Sequence, residues 1–310
     1  MPIIVFGSLN MDLVAQVPTL PQPGETLLGT GFHTVPGGKG ANQAVAAARL
    51  GLPTAMAGRI GDDSFGRALR DALHGAGVAT DLLQVDDAPS GVALINVDDA
   101  GENQIVVVPG ANGNVTASDA KRLPLGTEPS VLLMQFEIPL VAVQAAARQA
   151  ADSSTDHCVI VDPAPARMDL PKDFYGLVDI LTPNRTEASQ LTGVQVKSIP
   201  TAMEAAQVLR QRGVSTVIVK LGNQGAVVAS ESEVFHVPAF EVKAVDTVAA
   251  GDAFNGGLAV ALLEEKSLRA AVVWASAVAA LSVMAAGAQP SMPMREQVEE
   301  FLRHHSVEDL

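Results

Sequence analysis

The sequence predicts an α/β fold, a ribbon of βα units wound into a doubly wound, mostly parallel sheet with helices on both faces, plus a small β-sheet lid. Three observations predict it. Short β-branched runs alternate with alanine-rich helical stretches, the rhythm of strands covered on both sides. The rhythm breaks in two places, each holding strand-like sequence that belongs to no βα unit. With 310 residues, 48% hydrophobic and only 17% charged, the chain is long enough for a sizeable core and too apolar to be disordered.

In order, sheet strands are expected at Ile3 to Phe6, Ala55 to Gly58, Val131 to Gln135, Val159 to Asp162, Ile180 to Thr182, Val217 to Lys220 and Ala226 to Ala229. Helices are expected at Ala41 to Leu50, Phe65 to Ala76, Leu140 to Ala151, Ala202 to Arg212, Gly251 to Leu263, Leu268 to Met284 and Arg295 to Leu302. That order is a doubly wound plan. The length is about twice that of a usual domain, which leaves two domains or one large α/β unit open.

The first break in the rhythm runs from Met11 to Val35 and contains Pro18, Pro21 and Pro23. The second, Gly91 to Val108, reads as a β-hairpin, with Val92-Ala93-Leu94-Ile95 and Ile105-Val106-Val107-Val108 flanking Asp98-Asp99-Ala100-Gly101. Strands outside the βα units need another apolar surface to cover, so these stretches suggest a small sheet projecting from the body. A lid over a ligand is the functional interpretation. An inert insertion or a dimer interface is the alternative.

Twenty Lys and Arg stand against 34 Asp and Glu, a formal net charge of -14, and no local basic cluster relieves it. Nucleic acid and anionic membranes are therefore excluded as partners. The single cysteine, Cys158, lies in an apolar run and reads as a buried, inert thiol in a reducing compartment. The six histidines show no metal-ligand spacing, and the pair His304-His305 reads as a solvated helix end. The N-terminus lacks the basic and apolar regions of a secretory signal, so a cytoplasmic location is expected. Ala270 to Ala288 carries no charged residue and approaches the length of a membrane span. Its alanine richness, Ser276 and Ser282 make it a helix packed inside the domain instead.

Two glycine loops carry the chemistry. In Pro36-Gly37-Gly38-Lys39-Gly40-Ala41-Asn42, glycines ahead of a helix let backbone approach a ligand, while Lys39 and Asn42 offer polar contacts at the helix start. No Ser or Thr follows the lysine, so it is not a Walker A loop. In Asp246-Thr247-Val248-Ala249-Ala250-Gly251-Asp252, small residues open a helix whose first N–H groups would form an anion pocket. Asp252 inside it is either a helix cap or a base beside a phosphate.

These two loops, with Asn184-Arg185-Thr186-Glu187 between them, resemble the signatures of the ribokinase-like (PfkB) carbohydrate kinases over essentially the whole chain. Gly7-Ser8-Leu9-Asn10-Met11-Asp12, Pro163-Ala164-Pro165-Ala166 and Gly287-Ala288-Gln289-Pro290-Ser291 narrow the resemblance to the family's ribose-phosphorylating branch. The resemblance implies one domain, residues 1–310, with a lid at about 11–35 and 91–108 and a homodimer formed through the lid. It implies transfer of phosphate from ATP to the 5-hydroxyl of D-ribose, or by a related kinase to deoxyribose, fructose or adenosine. Asp252 would be the general base, with Ala249, Ala250 and Gly251 forming the anion hole. Sugar contacts map to Asn10, Asp12, Gly38, Lys39, Gly40, Asn42, Glu137 and Asp252.

ATP contacts map to Asn184, Lys220, Leu221, Gly222, Asn223, Gln224, Gly225, Gly251 and Ser276, with Asn184 and Glu187 linked to Mg2+. Lys220 stands where threonine is expected, Ser276 where many members have His or Asn, and Ala249 where other branches have Gly. An activating K+ would sit among Asp246, Val248, Ser282, Ala285, Gly287 and Ser291, mostly on carbonyls. Two other classes share features of the sequence. A dinucleotide oxidoreductase would need GxGxxG after the first strand, where Gly7-Ser8-Leu9-Asn10 stands. A non-catalytic sugar sensor would not need Asp252.

Overall fold

The structure, a computed structural model, describes residues 3–126 and 128–305. The ends of the expected 1–310 domain, including the Met1-Pro2 start of the region read for a signal, lie outside the described residues. The large sheet comprises β1 (Ile3–Phe6), β4 (Thr54–Gly61), β5 (Leu83–Asp86), β8 (Ser130–Gln135), β9 (His157–Asp162), β10 (Ile180–Leu181), β11 (Thr216–Lys220), β12 (Ala226–Ala229) and β13 (Val234–Val237). Their spatial order is β13-β12-β11-β10-β9-β8-β1-β4-β5. Pairing is parallel from β5 to β11, and β12 and β13 add on as an antiparallel edge.

Strand β1 shows why its sequence is apolar throughout. Ile3 and Val5 point into one buried cluster and Ile4 and Phe6 into the other, one on each side of the sheet. The first cluster is covered by α1 (Lys39–Arg49), α2 (Ser64–Gly75), α7 (Ala250–Leu263), α8 (Leu268–Ser282) and α9 (Arg295–His304). The second is covered by α3 (Ala117–Ala120), α4 (Leu140–Ala151), α5 (Arg185–Thr192) and α6 (Ile199–Gln211). The glycine pair in α7 sets its distance from its neighbours. A methyl group on Gly256 would stand 2.6 Å from Ala46 Cβ and 2.9 Å from the Gln43 carbonyl on α1. Only a residue without a Cβ lets the two helices cross there.

The small sheet has the order β3-β2-β6-β7, with β2 (Asn10–Gln16), β3 (Gly31–Gly37), β6 (Gly91–Val97) and β7 (Asn103–Val108). It therefore includes Asn10 and reaches Gly37, slightly beyond the expected bounds. The hairpin turn is as expected: Asp98 Oδ1 accepts the N–H groups of Ala100 and Glu102.

Four elements escaped the sequence pattern. Strands β5 and β13 are four-residue strands at the two ends of the sheet, too short to show a period. Helix α3 is a single turn, and α5 is opened by residues that had been assigned to ligand binding. Helix α8 ends at Ser282, so Val283 to Ala288 is loop; among the described residues no helix is long and apolar enough to cross a membrane. The histidine pair is only half a solvated end: the His305 ring stacks on Phe301 at 4.0 Å between centroids and meets Phe240 edge-on at 5.8 Å. Cys158 is half-buried rather than buried, since β9 is covered less fully at its start, and desolvation with the Asp179 charge still pushes its thiol up to about 12.

Candidate active site

Strand order reverses at β1, with β4 and β5 on one side and β8 onward on the other. The crevice beyond the carboxyl ends of β1 and β8 is where an open α/β sheet leaves room for a ligand. Ser8, just past β1, donates to Glu137 Oε2, just past β8, and the Lys39 N–H donates to the same oxygen at 3.2 Å. Helix α1 begins at Lys39, two residues before its expected start, with Gly38 as N-cap at φ 89°. A methyl there would stand 2.6 Å from the Asn10 nitrogen, so the position requires glycine both for its left-handed backbone and for space. Asn112 fixes the start of β2: its side chain bonds both the N–H and the C=O of Leu9 and donates to Asn10 Oδ1 at 2.8 Å. Asn10, Gly38, Lys39 and Glu137, four of the residues expected to meet a sugar, thus lie beside one another at the carboxyl ends of β1 and β8.

Asp252 lies in the first turn of α7 and is 4% exposed. Asn42 Nδ2 donates to its Oδ2 at 3.0 Å, and Gln43 Nε2 to its Oδ1 at 3.1 Å. Burial raises its pKa, the nearby Asp162 carboxylate adds to this, and Lys39, Asn42 and Gln43 oppose it. For the Lys39 ammonium the balance goes toward the charged form: burial opposes it, and Asp252, Asp162, Glu137 and Glu187 outweigh burial. Asp12 is pushed up to about 7 by burial, with Glu137 and Asp252 contributing. A carboxylate that is buried, oriented by two amides and raised toward neutrality is suited to take a proton.

From Asp252 and Lys39 a cleft of about 540 Å³ runs outward past Asp162, Glu187 and Lys220 to Gly222, Asn223, Gly225 and Ser276. Its far end is apolar, walled by Ala226, Phe240, Val242, Ala279, Ala280 and Val283. Two of the expected nucleotide residues do not line it. Leu221 is in the core, and the Gln224 side chain is held by Arg185 at 2.7 Å, each as a result of the tight turn that directs Gly222 and Asn223 outward. Asn184 and Glu187 form a reciprocal capping box for α5: Asn184 Oδ1 accepts the Glu187 N–H at 2.9 Å, and Glu187 Oε2 accepts the Asn184 N–H at 2.7 Å. Both still border the cleft. Burial raises the Glu187 pKa and Asp162 adds to it, while Lys220, the Asn184 N–H and Lys39 oppose.

Ala249 is the N-cap of α7 with φ 60°, a left-handed conformation that costs an alanine free energy and that glycine adopts without strain. Of the N–H groups expected in the anion hole, that of Ala250 donates to the Thr247 carbonyl at 3.4 Å, because the turn closes on itself there. Those of Gly251 and of the following Asp252 are without a hydrogen-bond acceptor among the described residues. They are free for an anion. Next to this turn, Asp246 ties two loops together, accepting Val248 N–H at 3.0 Å and Gly287 N–H at 2.9 Å. Val245 and Asp246 N–H both donate to the Val283 carbonyl. Asp246, Val248 and Gly287, three of the residues expected around K+, are therefore neighbours.

Gln43, Asp162 and Gln135 were not singled out from the sequence, yet they form the centre of the site. Gln43 Nε2 donates to Asp162 Oδ2 at 3.2 Å as well as to Asp252, Gln135 Nε2 donates to Gln43 Oε1 at 2.6 Å, and Lys220 Nζ lies 3.0 Å from Asp162 Oδ1. A signal was available: Gln135, Asp162 and Lys220 are polar residues closing apolar parallel strands, where side chains turn toward the ligand crevice.

The pattern of pfkB family carbohydrate kinases matches residues 2–295. The chain belongs to that family. It is 43% identical over 302 residues to a protein of Haemophilus influenzae named ribokinase, covering 97% of this chain and 98% of the relative. A ribokinase structure from Thermotoga maritima superposes with a TM-score of 0.88 at 38% identity, covering 98% of this chain and 99% of that one. An Arabidopsis thaliana ribokinase complexed with ribose and ATP superposes with a TM-score of 0.84 at 33% identity, covering 97% and 98%. Family members therefore share the two-sheet architecture over its full extent.

The raised Asp12 pKa has a consequence for stability. The unfolded carboxyl ionises near 3.8 and the folded one near 7, so the native state holds the extra proton between them and stability falls as pH rises through that window. Asp12→Asn is expected to melt higher than the parent at pH 8, by on the order of 1 kcal/mol, and to match it near pH 3.5. Thermal denaturation at both pH values checks this, and an equal difference at the two would count against the buried-carboxyl account.

Proposed function

We propose that the chain transfers the γ-phosphoryl group of ATP to the 5-hydroxyl of D-ribose. The observation that carries the chemistry is Asp252, buried at the start of α7 beside two unclaimed N–H groups and within reach of both the crevice and the cleft. The choice of ribose is supported by the relatives named ribokinase and by the Arabidopsis structure that holds ribose and ATP.

In this reading the sugar lies in the crevice, its hydroxyls bonded by Asn10, Asp12, Lys39, Asn42, Glu137 and the backbone at Gly38 and Gly40, which together offer donors and acceptors to paired hydroxyls. Asp252 orients the nucleophilic hydroxyl and takes its proton. The N–H groups of Gly251 and Asp252, with the positive end of α7 behind them and Ala249 and Ala250 shaping the turn, hold the transferring group. The adenosine part fits the apolar end of the cleft near Ser276, and Gly222, Asn223 and Gly225 follow its phosphates. Glu187 and Asn184, which border the cleft, would hold Mg2+ through its bound water, and the ion would neutralise phosphate charge.

A monovalent cation suits the paired loops. Among the described residues no hydrogen bond is made to the carbonyls of Asp246, Val248, Ala285 and Gly287, so four oxygens are available beside the Ser291 hydroxyl and Ser282. K+ there would brace the loop that leads into the anion turn. The lid is proposed to close over the sugar and to pair with its counterpart in a homodimer. Strand β7 is exposed along its length, with Val106 and Val108 on one face and Ile105 and Val107 on the other, a surface too apolar to stay uncovered in a sheet this small.

Coupled ADP detection with ribose, deoxyribose, fructose and adenosine tests the substrate, and ribose is expected to turn over fastest; no advantage for ribose would overturn the assignment. Asp252→Asn is expected to lose about 10²–10⁴-fold in kcat while sugar and nucleotide still bind, because the amide keeps the shape and cannot accept the proton. Near-normal turnover would make Asp252 only a helix cap. Potassium is expected to raise activity well above sodium or a bulky organic cation, and equal rates in all three would remove the cation site. Light scattering at micromolar concentration is expected to give a dimer; a strict monomer would defeat pairing through the lid.

A further inference from the structure

The charged residues lining the cleft are three carboxylates, Asp162, Glu187 and Asp252, and two ammonium groups, Lys39 and Lys220. A nucleoside triphosphate entering such a cleft meets like charge, and the position of each cation decides what it can neutralise. Lys39 opens α1, its N–H bonded to Glu137 at the sugar crevice and its side chain lining the inner end of the cleft beside Asp252. Lys220 closes β11 on the nucleotide side, and its backbone is fixed by donation to the Pro183 carbonyl at 2.8 Å. Its ammonium lies over the anion turn: a methyl group placed on Gly251 would stand 3.2 Å from Lys220 Nζ. Asp162 holds it there, with Nζ to Oδ1 at 3.0 Å and side-chain exposures of 13% and 3%.

We infer that Lys220 is a catalytic residue, its ammonium held by Asp162 so as to contact the phosphoryl group in transit at the first turn of α7. The inference rests on the kinase reading above. In the step, the sugar hydroxyl oxygen forms a bond to the γ-phosphorus and the bond from that phosphorus to the β–γ bridging oxygen breaks. ADP leaves with the electron pair, and the hydroxyl proton passes to Asp252. Negative charge gathers on the γ-oxygens and on the leaving oxygen, and a fixed ammonium beside the Gly251 and Asp252 N–H groups stabilises both. Gln43 makes the arrangement one unit, because its Nε2 bonds the carboxylate that holds Lys220 and the carboxylate that accepts the proton. Gln43 is accordingly a positioning residue. The competing role for Lys220 is to neutralise buried Asp162 and nothing more, and the two roles differ in a measurable way.

Lys220→Met leaves Asp162 without its cation, so it is compared with the double variant Asp162→Asn, Lys220→Met, in which the pair is replaced by neutral groups of similar size. A catalytic Lys220 predicts kcat lower by about 10²-fold in both, with the KM for ribose within about twofold of the parent. If the double variant regains kcat to within about threefold of the parent, Lys220 serves only to neutralise Asp162 and the inference falls. Calorimetry without sugar gives an independent arm: in the double variant, affinity for a non-hydrolysable ATP analogue is expected to fall about tenfold and affinity for ADP to change little. Equal losses for both nucleotides would also overturn it. A parent protein that binds ATP and does not phosphorylate ribose would defeat the substrate assignment while leaving this second arm intact.

Discussion

The rest of the site depends on one buried carboxylate. Asp252 is placed where water can scarcely reach it, and an ion in such a place costs several kcal/mol unless its surroundings replace the lost hydration. Two amides on α1, the Lys39 charge and the N-terminal end of α7 do so together. They can act only if α1 and α7 cross closely, and that explains Gly256 where the helices touch. The same requirement reaches outward, since α1 must begin at Lys39 for Asn42 and Gln43 to face α7, and that start depends on the left-handed Gly38 packed against β2.

The sheet plan was legible because its signals are redundant: apolar strands, all but the two-residue β10 four to eight residues long, alternating with alanine-rich helices leave few other folds. Elements decided by one or two contacts were not legible. Strand β5 is specified by its pairing with β4 rather than by its own four residues. Helix α5 was hidden because one pattern, Asn184 and Glu187 three apart, serves as a capping box and as a border of the cleft. For the site, the glycine loops announced themselves through composition, whereas Gln43 and Asp162 had no local peculiarity. Their importance arises from a crossing of α1, β9 and α7 that joins residues 119 and 209 positions apart.

Net charge and local field also separate here. A formal charge of -14 argues against polyanionic partners, yet says little about a single triphosphate in a cleft. What matters for that ligand is the placement of two ammonium groups, two free N–H groups and a helix dipole within a few ångströms, where screening by salt is weak. The acidic surroundings sharpen the effect. Carboxylates keep Lys39 charged and hold Lys220 in place, so each cation is fixed before a phosphate arrives and little reorganisation is needed when it does.

The division of the site between two sheets gives the ligand a mechanical role. Asn10 and Asp12 belong to β2 of the small sheet, while Asp252 belongs to the body. They share one face of β2, the face that looks into the crevice, because they are two residues apart in an extended strand. Asp12 resists ionisation there chiefly because it is buried, and the Glu137 and Asp252 carboxylates add repulsion. A sugar that places hydroxyl donors between these carboxylates would relieve that repulsion and bond both sheets at once. On the proposed closure of the lid, binding energy would favour the closed arrangement, and closing would exclude water from the phosphoryl group. Strand β7, paired along its length with β6, forms the outer edge of the small sheet, while β2, anchored at Asn10 by Asn112, carries the contact that matters.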